Sequence, residues 1–206
     1  MGSTPRTRLD RDARRAQLVQ LGLEMLSTRP LDKVAIDDIA AEAGISRGLL
    51  FHYFPTKRDF HRAVAEAAAR DLLRRTAPDV SLPPKAALRH SIEAYVDHVA
   101  ENRDAYIAFI RGSGGGDAGL GEVSDDARAA FTARVLAGLG AAQASDRLRA
   151  AVRGWVGFTE EVTVDWLSRG GLDRDELVAL IADALVALVA MAGGGRGAGG
   201  GLTVPS

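Results

Sequence analysis

The sequence predicts an all-α protein of about nine helices. Apolar residues recur at helical spacing along most of the chain, as in the stripe formed by Leu88, Ile92, Tyr95 and Val99. No segment shows the apolar–polar alternation between turn residues that is typical of strands. The helices are expected at 10–28, 36–43, 47–53, 57–77, 84–100, 102–111, 122–139, 146–169 and 173–192.

Several of these helix ends have a local cause. Pro30 ends the first helix, because proline cannot continue it. Pro84 opens the fifth helix, at a position where a missing N–H is tolerated. Gly170 and Gly171 end the eighth helix, and Asp173 caps the ninth.

Composition narrows the class of protein. The chain of 206 residues has no cysteine, which excludes a disulfide framework, thiol catalysis and cysteine-based zinc sites. Its net charge of −1 is unevenly distributed: residues 1–62 hold 11 basic and 8 acidic side chains, whereas the other 144 residues hold 15 and 19. A basic N-terminal part on an acidic body indicates that one end meets a polyanion.

Glycine marks the less regular segments. Of the 23 glycines, six lie within 112–121 and seven within 193–201, so a flexible loop and a disordered tail (193–206) are expected there. The most apolar stretch, Leu177–Met191, is about 15 residues long, shorter than the ~20 that span a bilayer. We interpret it as a buried helix and expect a cytoplasmic protein with no membrane partner.

The stretch Val34–Phe60 carries the clearest functional signal. It places two short helices on either side of Gly44-Ile45-Ser46, where glycine ends the first helix and serine caps the second. Two helices joined by a short turn with glycine form the helix-turn-helix arrangement, whose second helix enters the DNA major groove. The sequence therefore predicts a basic arm at 1–9, a DNA-binding domain at 10–56 and a helical domain at 57–192.

The second of these helices has the pattern of a DNA probe. Leu50 and Phe54 form its inner side, and the outer side offers Arg47, Gly48, Leu49, His52 and Tyr53. Glycine costs about 1 kcal/mol in a helix relative to alanine, but it lets a helix lie close to base edges. Lys57 and the amides that begin the next helix can hold a backbone phosphate.

The run D-I-A-A-E-A-G-I-S-R-G-L-L-F-H-Y-F-P-T-K resembles the signature of the TetR family of bacterial transcriptional regulators. The resemblance implies a homodimeric, usually repressing protein that leaves its palindromic operator when a small molecule binds. It places Ser46, Arg47, Gly48 and Leu49 at bases or nearby phosphates, Phe51 at a DNA-facing aromatic position, and His52, Tyr53 and Lys57 at phosphates. The chain departs from the family pattern at Ala35, where a capping Thr or Ser is common, and at Arg29-Pro30, where a glycine is usual.

The C-terminal domain is expected to hold the effector site and the dimer interface. Its aromatic and apolar side chains, with a few polar groups, have the usual composition of a small-molecule site. The predicted lining residues are Tyr95, His98, Tyr106, Phe109, Trp155, Phe158, Thr159 and Val162, with Arg111 available to an acidic head group. The helices at 146–169 and 173–192 are expected to form the dimer seam.

Other functions find little support in the sequence. Gly114–Gly119 fits G-x-G-x-x-G, but no strand precedes it, so no nucleotide cofactor is expected. His90 and His98 are eight residues apart, which does not favour a metal site. Glu160, Glu161 and Asp165 are interpreted as a solvated helix face, with pocket lining as the alternative. A small α-helical enzyme and a helical scaffold protein are the competing hypotheses.

Overall fold

The structure, a computed structural model, describes residues 11–26, 33–113, 118–141 and 143–193. The regular structure of these residues consists of nine α-helices, which confirms the predicted fold class. They are α1 (Arg11–Leu26), α2 (Ile36–Glu42), α3 (Arg47–Tyr53), α4 (Lys57–Arg75), α5 (Pro84–Glu101), α6 (Arg103–Ser113), α7 (Ala118–Gly138), α8 (Asp146–Arg169) and α9 (Arg174–Gly193).

Most of the predicted helix ends are present. α5 begins at Pro84, and α8 ends at Gly170, whose φ is +70°. The Asp173 carboxylate accepts the N–H of Glu176 at 2.8 Å, and the Glu176 carboxylate accepts the N–H of Asp173 at 2.8 Å. This reciprocal capping box fixes the start of α9. Pro30, the basic arm and the residues after Gly193 lie outside the described part.

The start of α7 differs from the prediction. It begins at Ala118 rather than at residue 122, so the helix includes Gly119 and Gly121 from the segment predicted as a loop. Val123 is buried and Leu120 is half-buried. Burying these two side chains outweighs the roughly 1 kcal/mol that each glycine costs in a helix.

The chain packs as two compact units, of which the first contains residues up to Arg75 and residues Asp97–Asp125. Helices α1, α2, α3 and α4 surround one apolar core in this unit. Its buried members are Leu18, Val19, Val34, Ile36, Ile39, Leu50, Phe54, Phe60, Ala63 and Val64. The core unites the two helices of the predicted DNA-binding motif with their neighbours before and after in the chain.

Gly22 allows α1 to lie directly against α4. A Cβ atom at this position would lie 2.5 Å from Cγ2 of Val64 and 2.9 Å from Cζ of Phe60. Both of those side chains are fully buried, so neither has space to move away. Glycine is therefore required at this contact by packing, with no need of a special backbone conformation.

The second unit comprises Thr76–Val96 and the residues from Asp126 onward. Its best-packed pair is α8 with α9, where the Trp155 indole N–H donates to the Ile181 carbonyl at 2.8 Å. Buried side chains of α5 and α7 complete the core, including Ile92, Val96 and Leu136.

The two packing units do not coincide with the predicted division at residues 56 and 57, because α4 shares the core of α1. That division stays a prediction about where DNA binding and effector binding are separated.

The last helix has the predicted length but is more exposed than the predicted buried helix. α9 has 20 residues, and its length and composition are those of a possible membrane span, although only 22% of its most apolar window is buried. Its length thus removes the argument that it is too short to cross a bilayer. A single helix of this kind is weak evidence for a membrane, since core helices of soluble proteins share its length and composition.

Candidate nucleic-acid interface

The turn between α2 and α3 has the geometry that the sequence predicts. Gly44 adopts φ +62°, and the N–H groups of Gly44 and Ile45 return to the carbonyls of Ala41 and Ala40 at 3.1 and 2.9 Å. These two bonds end α2 in a Schellman motif. The Ser46 hydroxyl then accepts the N–H of Leu49 at 3.2 Å and caps α3.

α3 is anchored from one side only. Leu50 and Phe54 are buried in the core of the first unit, and Phe54 meets Phe60 edge to face with 5.1 Å between ring centroids. A helix of seven residues is too short to be stable by itself, so these contacts hold it in place. The opposite side is exposed at Ser46, Arg47, Gly48, Leu49 and His52.

Arg47, at the first position of α3, has partners on two sides. Its Nη1 donates to both carboxylate oxygens of Asp37 on α2, at 3.1 and 3.3 Å. Its guanidinium carbon lies 5.5 Å from the centre of the Phe51 ring, within the range of a cation–π contact. Sequence reasoning missed the ion pair, because ten residues and a turn separate the two side chains.

Gly48 has no structural need to be glycine. A Cβ atom there would meet only the Ser46 hydroxyl oxygen, at 3.9 Å. The close approach of Gly48 to DNA stays a prediction, which the space around it permits.

The other DNA-facing residues of the prediction lie on or directly after α3. Phe51 and Tyr53 are half-buried, and His52 is exposed and meets Tyr53 edge to face at 5.7 Å. Their contacts with phosphates remain predictions, as do those of Ser46, Arg47, Gly48 and Leu49.

A capping box begins α4. The Asp59 carboxylate accepts the N–H of Thr56 at 3.0 Å, and the Thr56 hydroxyl accepts the N–H of Asp59 at 3.1 Å. The Thr-x-x-Asp spacing at 56–59 signals this box, although sequence reasoning did not use it. Because Asp59 already brings a negative charge to this helix end, a phosphate there depends on the exposed Lys57 side chain.

The start of α2 lacks a side-chain cap, as expected from Ala35. Ala35 has extended backbone angles (φ −83°, ψ 142°) and makes no side-chain hydrogen bond to the helix. Asp37 and Asp38 lie in the first turn, where negative charge is favourable.

The predicted effector residues are divided between the two units. Tyr95, Trp155, Phe158 and Val162 belong to the apolar core of the second unit, and Thr159 is buried there with its hydroxyl donating to the Trp155 carbonyl at 2.9 Å. His98, Tyr106, Phe109 and Arg111 belong to the first unit. All nine remain predicted lining residues.

His98 is half-buried in the first unit. Burial lowers the pKa of its imidazole, and the nearby Arg75 lowers it further, against smaller opposing effects of Asp71 and Glu101. The lowered pKa favours the neutral form of the imidazole. Among the described residues, no group of three or more His, Asp or Glu side chains is arranged to bind a metal ion.

A half-buried ion pair links α7 and α8 in the second unit. Arg128 Nε on α7 donates to Glu160 on α8 at 2.7 Å. Burial raises the pKa of the Glu160 carboxyl, and Arg128 partly opposes this. On the same helix, the hydroxyl of the fully buried Thr163 has no hydrogen-bond partner in the described chain. The solvated interpretation is therefore wrong for Glu160, whereas Glu161 and Asp165 are exposed.

Comparison with protein families agrees with this architecture. The model of the tetR family of bacterial regulatory proteins matches residues 18–64, which cover α2 and α3 with their flanking helices. The model of a tetracyclin repressor-like C-terminal domain matches residues 84–188, from α5 into α9.

Characterised relatives are regulators of transcription. The transcriptional regulator AcuR of Cereibacter sphaeroides is 36% identical over 133 residues, which are 62% of this chain and 58% of AcuR. The transcriptional activator FasR of Mycolicibacterium smegmatis is 29% identical over 107 residues, 51% of this chain and 49% of FasR. The chain thus matches about half the length of these relatives.

Solved structures share this fold. A tetR-family regulator from Streptomyces coelicolor superposes with a TM-score of 0.78 at 32% identity, covering 93% of this chain and 83% of that one. FadR from Bacillus subtilis, solved with stearoyl-CoA, has the same fold, with a TM-score of 0.60 at 18% identity over 84% of this chain and 97% of that one. The chain belongs to the TetR family of DNA-binding transcriptional regulators, which are not enzymes.

Proposed function

We propose that this protein is a dimeric repressor that binds a palindromic operator through α3 and leaves it when a small, mainly hydrophobic molecule binds. The proposal rests on the two sides of α3, one buried in the core and one exposed. Leu50 and Phe54 fix the helix from inside, while Arg47, Gly48 and Leu49 stand exposed at its N-terminal end. N-terminal residues of a recognition helix are those that meet base edges in the major groove.

The exposed side of α9 supports a dimer. Leu180, Val186 and Met191 are 42%, 61% and 65% exposed on a helix whose other side is already in the core. Burying such a face against a second copy is strongly favourable. Together with α8, it would form a dimer interface of four helices, two from each subunit. Two copies of α3 related by a two-fold axis read a palindrome.

The core of the second unit supports a small-molecule effector. It combines the half-buried Tyr95, Phe158 and Val162 with the polar Glu160 and Thr163, and apolar walls with a few polar groups suit a small ligand. FadR, which was solved with stearoyl-CoA, offers a precedent for a ligand with a long apolar chain in this fold. Such a regulator acts where the chromosome is, in the cytoplasm.

DNA binding is tested by gel shift against the region upstream of the protein's own gene, followed by selection of the preferred duplex. A symmetric selected site is expected. FasR is an activator, so repression and activation need to be distinguished. A reporter gene that carries the selected site shows which of the two this protein performs. Expression that rises when this protein is deleted supports a repressor, and expression that falls would contradict it.

Effector binding is tested by release of the selected duplex in a screen of metabolites. Phe158→Ala and Val162→Ala change predicted lining residues without removing the Trp155 hydrogen bond to α9. Both variants should bind DNA and need more of the releasing compound, whereas Leu139→Ala, at an exposed apolar side chain of the same unit, should respond as wild type. Unchanged release in both lining variants would place the effector elsewhere.

A further inference from the structure

The contacts of Arg47 engage one edge of its guanidinium. Asp37 takes Nη1 alone, and the Phe51 ring lies within cation–π range of the guanidinium carbon. No other hydrogen bond reaches Arg47 from the described part of the chain, so Nε and Nη2 are available to a ligand.

The remaining edge suits a base better than a phosphate. Guanine offers O6 and N7 side by side, and the Nε and Nη2 edge of a guanidinium binds them with two parallel N–H donors. Asp37 need not leave for this contact. A phosphate is drawn mainly by net positive charge, and the Asp37 carboxylate largely cancels the charge of Arg47 at the protein surface.

We propose that Asp37 is a positioning residue for sequence discrimination: it orients the Arg47 guanidinium toward base edges and weakens its attraction to the phosphates of DNA that lacks the operator. The proposal rests on the function of α3 proposed above and adds to it a residue on the neighbouring helix.

The pair is suited to this role because it contributes little to folding. The side chains of Arg47 and Asp37 are 62% and 65% exposed, and ion pairs this exposed add little to stability. Asp37→Asn should therefore leave the thermal unfolding midpoint nearly unchanged, so its effect appears in DNA binding.

The test compares wild type with Asp37→Asn and Asp38→Asn on two duplexes of equal length, the selected operator and a mixed sequence without it. Both variants remove one negative charge from the first turn of α2, but only Asp37 binds Arg47 in the structure. Asp37→Asn should bind the mixed duplex about threefold to tenfold more tightly, with a salt slope steeper by about one, as one more phosphate contact requires. Its preference for the operator should fall. Asp38→Asn should alter both duplexes alike.

A double-mutant cycle shows whether the effect passes through Arg47. In an Arg47→Ala background, Asp37→Asn should no longer alter the ratio of the two affinities. The proposal is overturned if Asp37→Asn and Asp38→Asn behave alike, or if the effect of Asp37→Asn persists without Arg47. A wild-type protein that prefers no duplex would overturn the proposed function as well, so the two failures are distinguishable.

Discussion

Lys57 is the residue predicted to hold a DNA phosphate at the start of α4. It is exposed at the first position of the helix, beside the Thr56–Asp59 capping box. Lys57→Ala should weaken binding to operator and mixed-sequence DNA by similar factors, and the salt slope should fall by about one. Fluorescence anisotropy at several salt concentrations measures both.

Lys85→Ala is the matched control, because it removes the same charge from an exposed position on α5. It should leave DNA affinity and its salt dependence unchanged. A Lys57→Ala protein that loses affinity for the operator alone would show a base contact instead of a phosphate contact.

Gly48 separates what the fold needs from what DNA binding needs. The free protein has room for a Cβ atom there, so Gly48→Ala should raise the free energy of unfolding by up to about 1 kcal/mol. The same methyl group would hold α3 away from base edges, whose contacts contribute about 1–3 kcal/mol each. Urea denaturation and operator binding should therefore move in opposite directions. A variant with wild-type operator affinity would refute close approach at this position.

The sequence could reveal the individual features of α3 but not how they combine. Gly44, Ser46 and the buried side chains of the turn follow local rules of backbone conformation and capping, and all were predicted. The Arg47–Asp37 pair depends on how α2 and α3 cross, which no local pattern specifies. The half-buried position of Glu160 was missed for the same reason, since its partner Arg128 lies on another helix.

Among the helices, the contact between α1 and α4 is the most sensitive to a single methyl group. Gly22→Ala forces a Cβ into the fully buried side chains of Val64 and Phe60. Overpacking costs about 1–3 kcal/mol, and the higher helix propensity of alanine returns about 1 kcal/mol. We expect a net loss of up to about 2 kcal/mol in the free energy of unfolding, measured by urea denaturation. Gly48→Ala serves as the control, with the opposite sign expected.

Helix boundaries were predictable where proline, glycine or a cap marks them, as at Pro84, Gly170 and Asp173. The start of α7 was not, because its two glycines argue for a loop on local grounds. In the added turn, Leu120 is half-buried, and burial is a property of the assembled core that local glycine content does not show.

For the whole molecule, dimerisation through α9 is the central expectation. Val186→Asp places a carboxylate on the exposed apolar side of that helix, where a partner would desolvate it at a cost of several kcal/mol. Association should weaken by at least about 100-fold, giving monomers by sedimentation at micromolar concentration. Operator affinity should fall with it, since one α3 reads half a palindrome.

Leu139→Asp is the control for this experiment, because it charges an exposed apolar side chain at the end of α7 instead of on α8 or α9. It should remain dimeric. A dimeric Val186→Asp protein would move the seam away from this side of α9.

The shortness of α3 has a genetic consequence. A seven-residue helix is not stable by itself. The proposed DNA-reading surface of α3 therefore forms only while the core beneath it is folded. Mutations that abolish operator binding should therefore occur at core positions such as Leu50 and Ile39 as often as at Arg47. Many of those interior alleles should be temperature-sensitive, whereas surface alleles should fail at every temperature.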